Sequence, residues 1–229
     1  MIASLSGTLA VRDPAGTMLG STAATALVRA LNGAGSISAK GPSGPALSMP
    51  ASIVSFEGLS NQDNANYFGF RVNPPDPVGD IGPNHYVEMV NLTFAVYDRQ
   101  GNQLMGPVKI GDLWQNFAVP DCTDPSGDPI VLYDQLVGRW ILSQFTTRGP
   151  KYYDCVAISM TGDPTGAYFR YAFDWGSKMN DYPKFGVWMD AYYMTVNQFL
   201  GNSWAGAGIA AFDRDKRGPA GRSCSRVSV

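Results

Sequence analysis

The sequence predicts an all-β fold of β-propeller-like architecture, closed or incomplete as a ring, preceded by a short N-terminal helix and a linker. Three observations predict it. Gly and Pro (26 and 16 of 229 residues) exceed their usual combined share of roughly 12%, which favours many turns and short elements. Aromatics make up 12%, mostly Tyr and Phe, residue types that suit strands. The third is a weak internal repeat. An aromatic residue followed by alternating apolar residues occurs at Tyr86–Asn91, Trp140–Phe145 and Tyr192–Asn197, at spacings of 54 and 52. A second strand-like run follows each, at Phe94–Asp98, Cys155–Ser159 and Ile209–Asp213. A period near 50 residues with several strands and no helix is the signature of a propeller blade. Each such sheet must stack on its neighbours to bury both faces. An ordinary β-sandwich with look-alike strands is the alternative.

Along the chain, residues 20–32 read as a helix, with Ser21 or Thr22 as its cap and Asn32-Gly33 as its stop. Residues 33–50 are rich in Gly, Ser and Pro and read as a linker. From residue 51 the pattern is that of short strands between Gly, Pro, Asn and Asp. From residue 215 apolar periodicity stops, and Lys216, Arg217, Arg222 and Arg226 give the end a basic character. The expected division is therefore 1–50 (helix and linker), 51–214 (β domain) and 215–229 (disordered basic tail).

Composition excludes several classes of function. A net charge of -2 argues against a nucleic-acid binder, which presents a basic face, and against a polybasic membrane patch. No apolar run reaches the roughly 18 residues of a membrane span. One His and three Cys leave little room for zinc sites of thiol or imidazole type. Met1–Leu19 has no basic n-region and is interrupted by Ser6-Gly7 and Arg12-Asp13, so it is not a clear signal peptide. Cys122, in a loop-like segment, and Cys155, opening an apolar run, either pair as a disulfide, implying an oxidising compartment, or stand as two separate thiols. Cys224 is left over.

The chain lacks a Gly-x-Ser-x-Gly elbow and a phosphate-binding glycine loop. Its chemistry-bearing set is rich in oxygen. Asp76, Asp80, Asn91, Asp128, Asp134, Asp181, Asp190 and Asn197 fall at strand starts or ends in the repeat. Innermost propeller strands converge on an axis, and carboxylates gathered there repel unless a cation holds them. Calcium, with six to eight oxygens in loose geometry, suits this better than magnesium. Asp76, Asp80, Asn91, Asp128, Asp181, Asp190 and Asn197 are the expected metal ligands. The competing view is that Asp-Pro and Gly-Asp segments are turn formers only. His85, Asp80 and Asp128 are the expected groups that activate water, His85 because its ordinary pKa lies near neutrality. Tyr86, Arg139, Trp188 and Tyr192 are the expected substrate contacts. For the aromatics the alternative is core packing between blades.

One stretch, Pro74-Pro75-Asp76-Pro77-Val78-Gly79-Asp80-Ile81-Gly82-Pro83-Asn84-His85-Tyr86, resembles a group of bacterial, mostly secreted, propeller-like proteins. The resemblance continues at Asp128–Asp134, Arg139-Trp140, Thr161–Gly166 and Asp181–Trp188, covering roughly residues 65–214. Relatives in that group are described as glycosyl-hydrolase-like or sialidase-like. The chain also looks similar to soil-derived hydrolases that open N-acyl-homoserine lactones. The resemblance implies a secreted or periplasmic location and a small lactone or carbohydrate as substrate. Paraoxonase-like and gluconolactonase-like propellers supply the logic for calcium, which polarises an ester carbonyl. Three functions follow as expectations. The first is a calcium-dependent lactone hydrolase. The second is a glycoside hydrolase, whose two carboxylates would have to be aspartates such as Asp128 and Asp190, since Glu57 and Glu88 are the only glutamates. The third is a carbohydrate-binding or surface module without catalysis.

Overall fold

Three four-stranded antiparallel meanders follow one another along the chain. The computed structural model describes residues 50–124 and 126–214, and the backbone of 224–228. The first sheet holds β1 (Val78–Ile81), β2 (His85–Val90), β3 (Thr93–Asp98) and β4 (Gln103–Lys109). The second holds β5 (Ile130–Asp134), β6 (Arg139–Phe145), β7 (Tyr152–Ser159) and β8 (Tyr168–Gly176). The third holds β9 (Met179–Val187), β10 (Ala191–Leu200), β11 (Ser203–Asp213) and β12 (Cys224–Ser228). Strands pair in chain order within each sheet. The first strands also meet each other, β1 against β5 and β5 against β9.

The three aromatic runs of the repeat are β2, β6 and β10, the second strand of each sheet. The three runs that follow them are β3, β7 and β11, the third strands. The fold is all-β, as the composition and alternation predict.

The second sheet lies between the other two, and its side chains alternate between two cores. Trp140, Leu142, Cys155 and Ala157 pack with Val87, Met89, Phe94 and Val96 of the first sheet. Ile141, Val156 and Trp175 pack with Tyr192, Met194, Val196, Ala210 and Phe212 of the third. Successive residues of a strand point to opposite faces. A strand covered on both sides therefore reads as a continuous apolar run, which accounts for Trp140-Ile141-Leu142. Each such side chain contributes roughly 1.5–3 kcal/mol on burial. Strand β10 instead alternates buried and exposed residues.

Cys122 and Cys155 form a disulfide that ties the 120–123 turn to β7. Gln144 reinforces that tie. Its Nε2 donates to the Cys122 and Asp124 carbonyls at 2.8 and 3.3 Å, and its Oε1 accepts from the Ser126 N–H.

Two expectations change. Residues 51–73 are not strands: Asn61–Phe68 forms helix α1. Ser60 caps it, Asp63 bonds back to the Ser60 N–H, and Gly69 ends it in the left-handed conformation, a capping box and a glycine stop. Within the tail expected to be disordered, Cys224–Ser228 extends the third sheet by pairing with β11. An extended segment beside an open strand edge gains ladder hydrogen bonds whatever its charge. The helix expected over 20–32 lies outside the described residues. The described part of the chain from Ser52 onward forms one unit. Among the described residues no helix is long and apolar enough to cross a membrane.

Candidate functional site

The chain enters β1 and β5 through matching corners. Asp76 and Asp128 each precede a proline (Pro77, Pro129), and both adopt positive φ, +38° and +41°. In the third sheet the corresponding residue before a proline is Tyr182, at φ +53° before Pro183, an irregularity within β9 with Asp181 beside it. A proline bars the helical region to the residue before it. Positive φ is rare for residues other than glycine, tolerable for Asp and strained for Tyr. Three of the five non-glycine residues with positive φ among those described sit at these positions before proline. Held strain of this kind concentrates at functional sites.

The corners bring carboxylates together. The Asp128 carboxyl lies close enough to the Asp76 carboxyl and to the Tyr182 N–H for both to act on its proton. Asn91, buried at the end of β2, locks the pair. Its Nδ2 donates to Asp76 Oδ2 at 3.1 Å and to the Pro74 carbonyl at 2.8 Å, while its Oδ1 accepts the Asp128 N–H at 2.9 Å. Burial first, then the charges of Asp181 and Asp76, push the Asp128 carboxyl up to about 6. Like charges and desolvation both disfavour ionisation, so Asp128 keeps its proton to a higher pH than an ordinary aspartate.

Four of the seven expected metal ligands thus belong to one neighbourhood: Asp76, Asn91, Asp128 and Asp181. Asn91 serves as scaffold, since both ends of its amide are already bonded. Asn197 lies opposite Asp181 in the β9–β10 register. Asp80 and Asp190 are elsewhere. Asp80 bonds the Ile81 and Tyr133 N–H groups, both at 2.7 Å, and so stitches β1 to β5. Asp190 accepts from the Tyr193 hydroxyl at 3.0 Å beyond the far end of β9. Among the described residues no three His, Cys, Asp or Glu side chains stand in a ready-made ligating arrangement. The three carboxylates are coupled by charge, and their hard oxygen donors are of the type calcium takes.

The expected catalytic trio does not converge. His85 starts β2 and Asn91 follows its end. At 3.2–3.4 Å per residue, His85 is about 20 Å from the Asp128 corner. Its Nε2 lies 4.0 Å from Asp163 Oδ1 instead. Nor do the expected substrate contacts meet there. Arg139 pairs with Asp134 at the opposite end of β5. Trp188 is exposed, and its carbonyl accepts from Arg214 Nη1. Tyr192 is in the core with its hydroxyl on Asp134. Tyr86 packs on Phe56 and Tyr97.

Tyr86 also lines a cavity of about 610 Å³ on the outer face of the first sheet, with Phe56, Ile81, Glu88 and Arg99. Burial pushes the Glu88 carboxyl up, against a bond from the Leu59 N–H. Glu88 is the acid that the sequence did not single out. It stands alone between core residues Val87 and Met89, and nothing in the pattern shows the segment 53–59 folding over it. Tyr182 was missed too, although its position before Pro183 is a local signal shared with Asp76 and Asp128.

Compared with protein-family models, curated proteins and solved structures, the chain matches none of them.

Proposed function

We propose that the acidic corners form the active centre of a hydrolase on a β-propeller-like scaffold, with a lactone such as an N-acyl-homoserine lactone as the substrate class. The observation that carries this is the coupled Asp76–Asp128 pair, held on strained backbone just before the first strands β1 and β5, with Asp128 raised to about 6. Meanders stacked through their first strands support the propeller reading. The Cys122–Cys155 disulfide supports a secreted or periplasmic location.

The pair supplies an acid and a base as two coupled carboxyls. The ionised member takes a proton from water as its oxygen bonds to the lactone carbonyl carbon. The protonated member gives its proton to the ring oxygen as the acyl C–O bond breaks, leaving a hydroxy acid. The Asn91 amide keeps both carboxyls at their positions throughout. We assign the remaining neutralisation of this acidic cluster to calcium, which Asp76, Asp128 and Asp181 would hold. Bound there, calcium would supply polarisation of the ester carbonyl and stabilisation of the developing oxyanion. A glycoside hydrolase using Asp128 with Asp190 is disfavoured. Asp190 lies nine positions past Asp181, beyond the far end of β9, and the two acids of such enzymes stand about 5–9.5 Å apart.

The test is acid release from acyl-homoserine lactones and from aryl glycosides by the wild-type protein and Asp128→Asn, with calcium and with chelator. Lactone turnover lost in Asp128→Asn and reduced by chelator is expected. Turnover of neither substrate class, or lactone turnover indifferent to both changes, overturns the reading. A melting temperature raised by calcium, as for an ion that binds only the folded state, is the expected companion result.

A further inference from the structure

Behind the acidic corners, the interface between the second and third sheets contains a polar layer that the proposed chemistry does not use. On β7, Cys155 and Ala157 face the first core and Val156 the second, so Asp154 points toward the third sheet by alternation. On β6 the same rule sends Ser143 to that side with Ile141. Asn180 stands directly opposite Gln198 in the β9–β10 register. Gln198 continues the face of Met194 and Val196 and lies near Trp175, since a Cβ on Gly208 would touch both Gln198 Nε2 and the Trp175 ring. Ser143, Asp154 and Asn180 are fully buried. Ser143 Oγ, both oxygens of Asp154 and both polar atoms of Asn180 have no hydrogen-bond partner among the described residues.

Buried polar groups in folded proteins are almost always bonded, to protein, water or an ion. A buried carboxylate without a counter-charge is especially costly. Burial alone pushes the Asp154 carboxyl up to about 8. Gln198 Oε1 is already engaged by Lys178 Nζ at 3.5 Å, which brings that ammonium to the edge of the layer from the third sheet. Among the described residues four oxygens are therefore without a donor, as the Asn180 and Gln198 amide nitrogens are without an acceptor, and the layer carries one negative charge whenever Asp154 gives up its proton. We infer that this layer binds a monovalent alkali cation through the Asp154 carboxylate, Ser143 Oγ and Asn180 Oδ1. A single positive charge leaves the buried group neutral, whereas a divalent ion would leave a net charge inside the core. The site is separate from the acidic corners: Asn180 and Asp181 are successive residues of β9 and point to opposite faces. The inference does not depend on the hydrolase reading.

The experiment is thermal unfolding of the full chain in potassium, sodium or tetramethylammonium chloride at equal ionic strength, with chelator present so that calcium plays no part. A melting temperature several degrees higher in potassium or sodium, saturating with concentration, is expected. Asp154→Asn removes that difference and Lys178→Met keeps it. Should Asp154→Asn fail to fold, wild-type crystals grown with thallium(I) are expected to show an anomalous peak in contact with Asp154 and Asn180. Equal melting temperatures in all three salts, or no such peak, overturn the inference. Salt dependence lost in Lys178→Met also overturns it, because the lysine would then be the compensating charge.

Discussion

The Tyr192 hydroxyl donates to the Asp134 carboxylate at 2.8 Å, joining residues 58 positions apart on the third and second sheets. Both side chains are buried, and Arg214 Nε lies 3.8 Å from the same carboxylate. The link belongs to packing rather than to substrate recognition. Tyr192→Phe removes one hydrogen bond to a charged group and leaves the ring in place. We expect a loss of roughly 1.5–3 kcal/mol in urea unfolding with an unchanged Michaelis constant for any substrate. A raised Michaelis constant without loss of stability would restore Tyr192 to the substrate site.

Asp128 makes both stability and turnover depend on pH. Its carboxyl ionises near 3.8 when unperturbed and near 6 in the folded protein. Between those values the folded state keeps a proton that the unfolded chain has lost, so stability falls as pH rises through that window. The group is only half-buried, and solvent screening brings the effect down to on the order of 1 kcal/mol. Asp154 contributes with the same sign up to about 8, so the comparison must be between variant and wild type. Asp128→Asn should remove the 4–6 component, gain about 1 kcal/mol at neutral pH and abolish hydrolysis. Urea unfolding at three pH values checks the first two outcomes, and a pH–rate profile checks the third.

The sheets were largely legible because each of the three four-stranded sheets repeats the same local demand. Every second strand needs an aromatic at its start and apolar residues after it, and Tyr86, Trp140 and Tyr192 meet that demand. The corners were legible only as Asp-bearing turns. That Asp76, Asp128 and Asp181 meet depends on three sheets closing toward one another, which no local window reports. Helix α1 was missed because its apolar face is poor. Its one buried residue is Asn64, which bonds the Val90 carbonyl and accepts from the Thr93 hydroxyl. A polar anchor has no hydrophobic periodicity to detect. Asp80 and His85 drew attention because they sit in the most motif-like stretch. There the first carboxylate serves the backbone of a neighbouring sheet, a role that leaves the same sequence trace as catalysis.

That distinction can be measured. Asp80→Ala strands the Ile81 and Tyr133 N–H groups and should cost roughly 1–3 kcal/mol. His85→Ala should leave lactone turnover within about threefold of wild type, because the imidazole lies about 20 Å from the acid pair. A loss of two orders of magnitude in His85→Ala, with the fold intact by circular dichroism, would move the active centre to the His85 end of β2.

The Cys122–Cys155 bond closes a loop of 33 positions. In the chain-entropy account such a closure stabilises by about 3–4 kcal/mol through the unfolded state. A domain of this size shifts by roughly 2–4 °C per kcal/mol, so reduction, or the double change Cys122→Ser and Cys155→Ser, should lower the melting temperature by roughly 10 °C. The native site should survive, because Gln144 still holds the Cys122 and Asp124 carbonyls from β6. Two signatures separate this mechanism from loss of native packing. An effect exerted through the unfolded chain leaves turnover intact below the transition and steepens the urea dependence, since the uncrosslinked chain exposes more surface. A packing effect would lower turnover at ambient temperature and leave that slope unchanged.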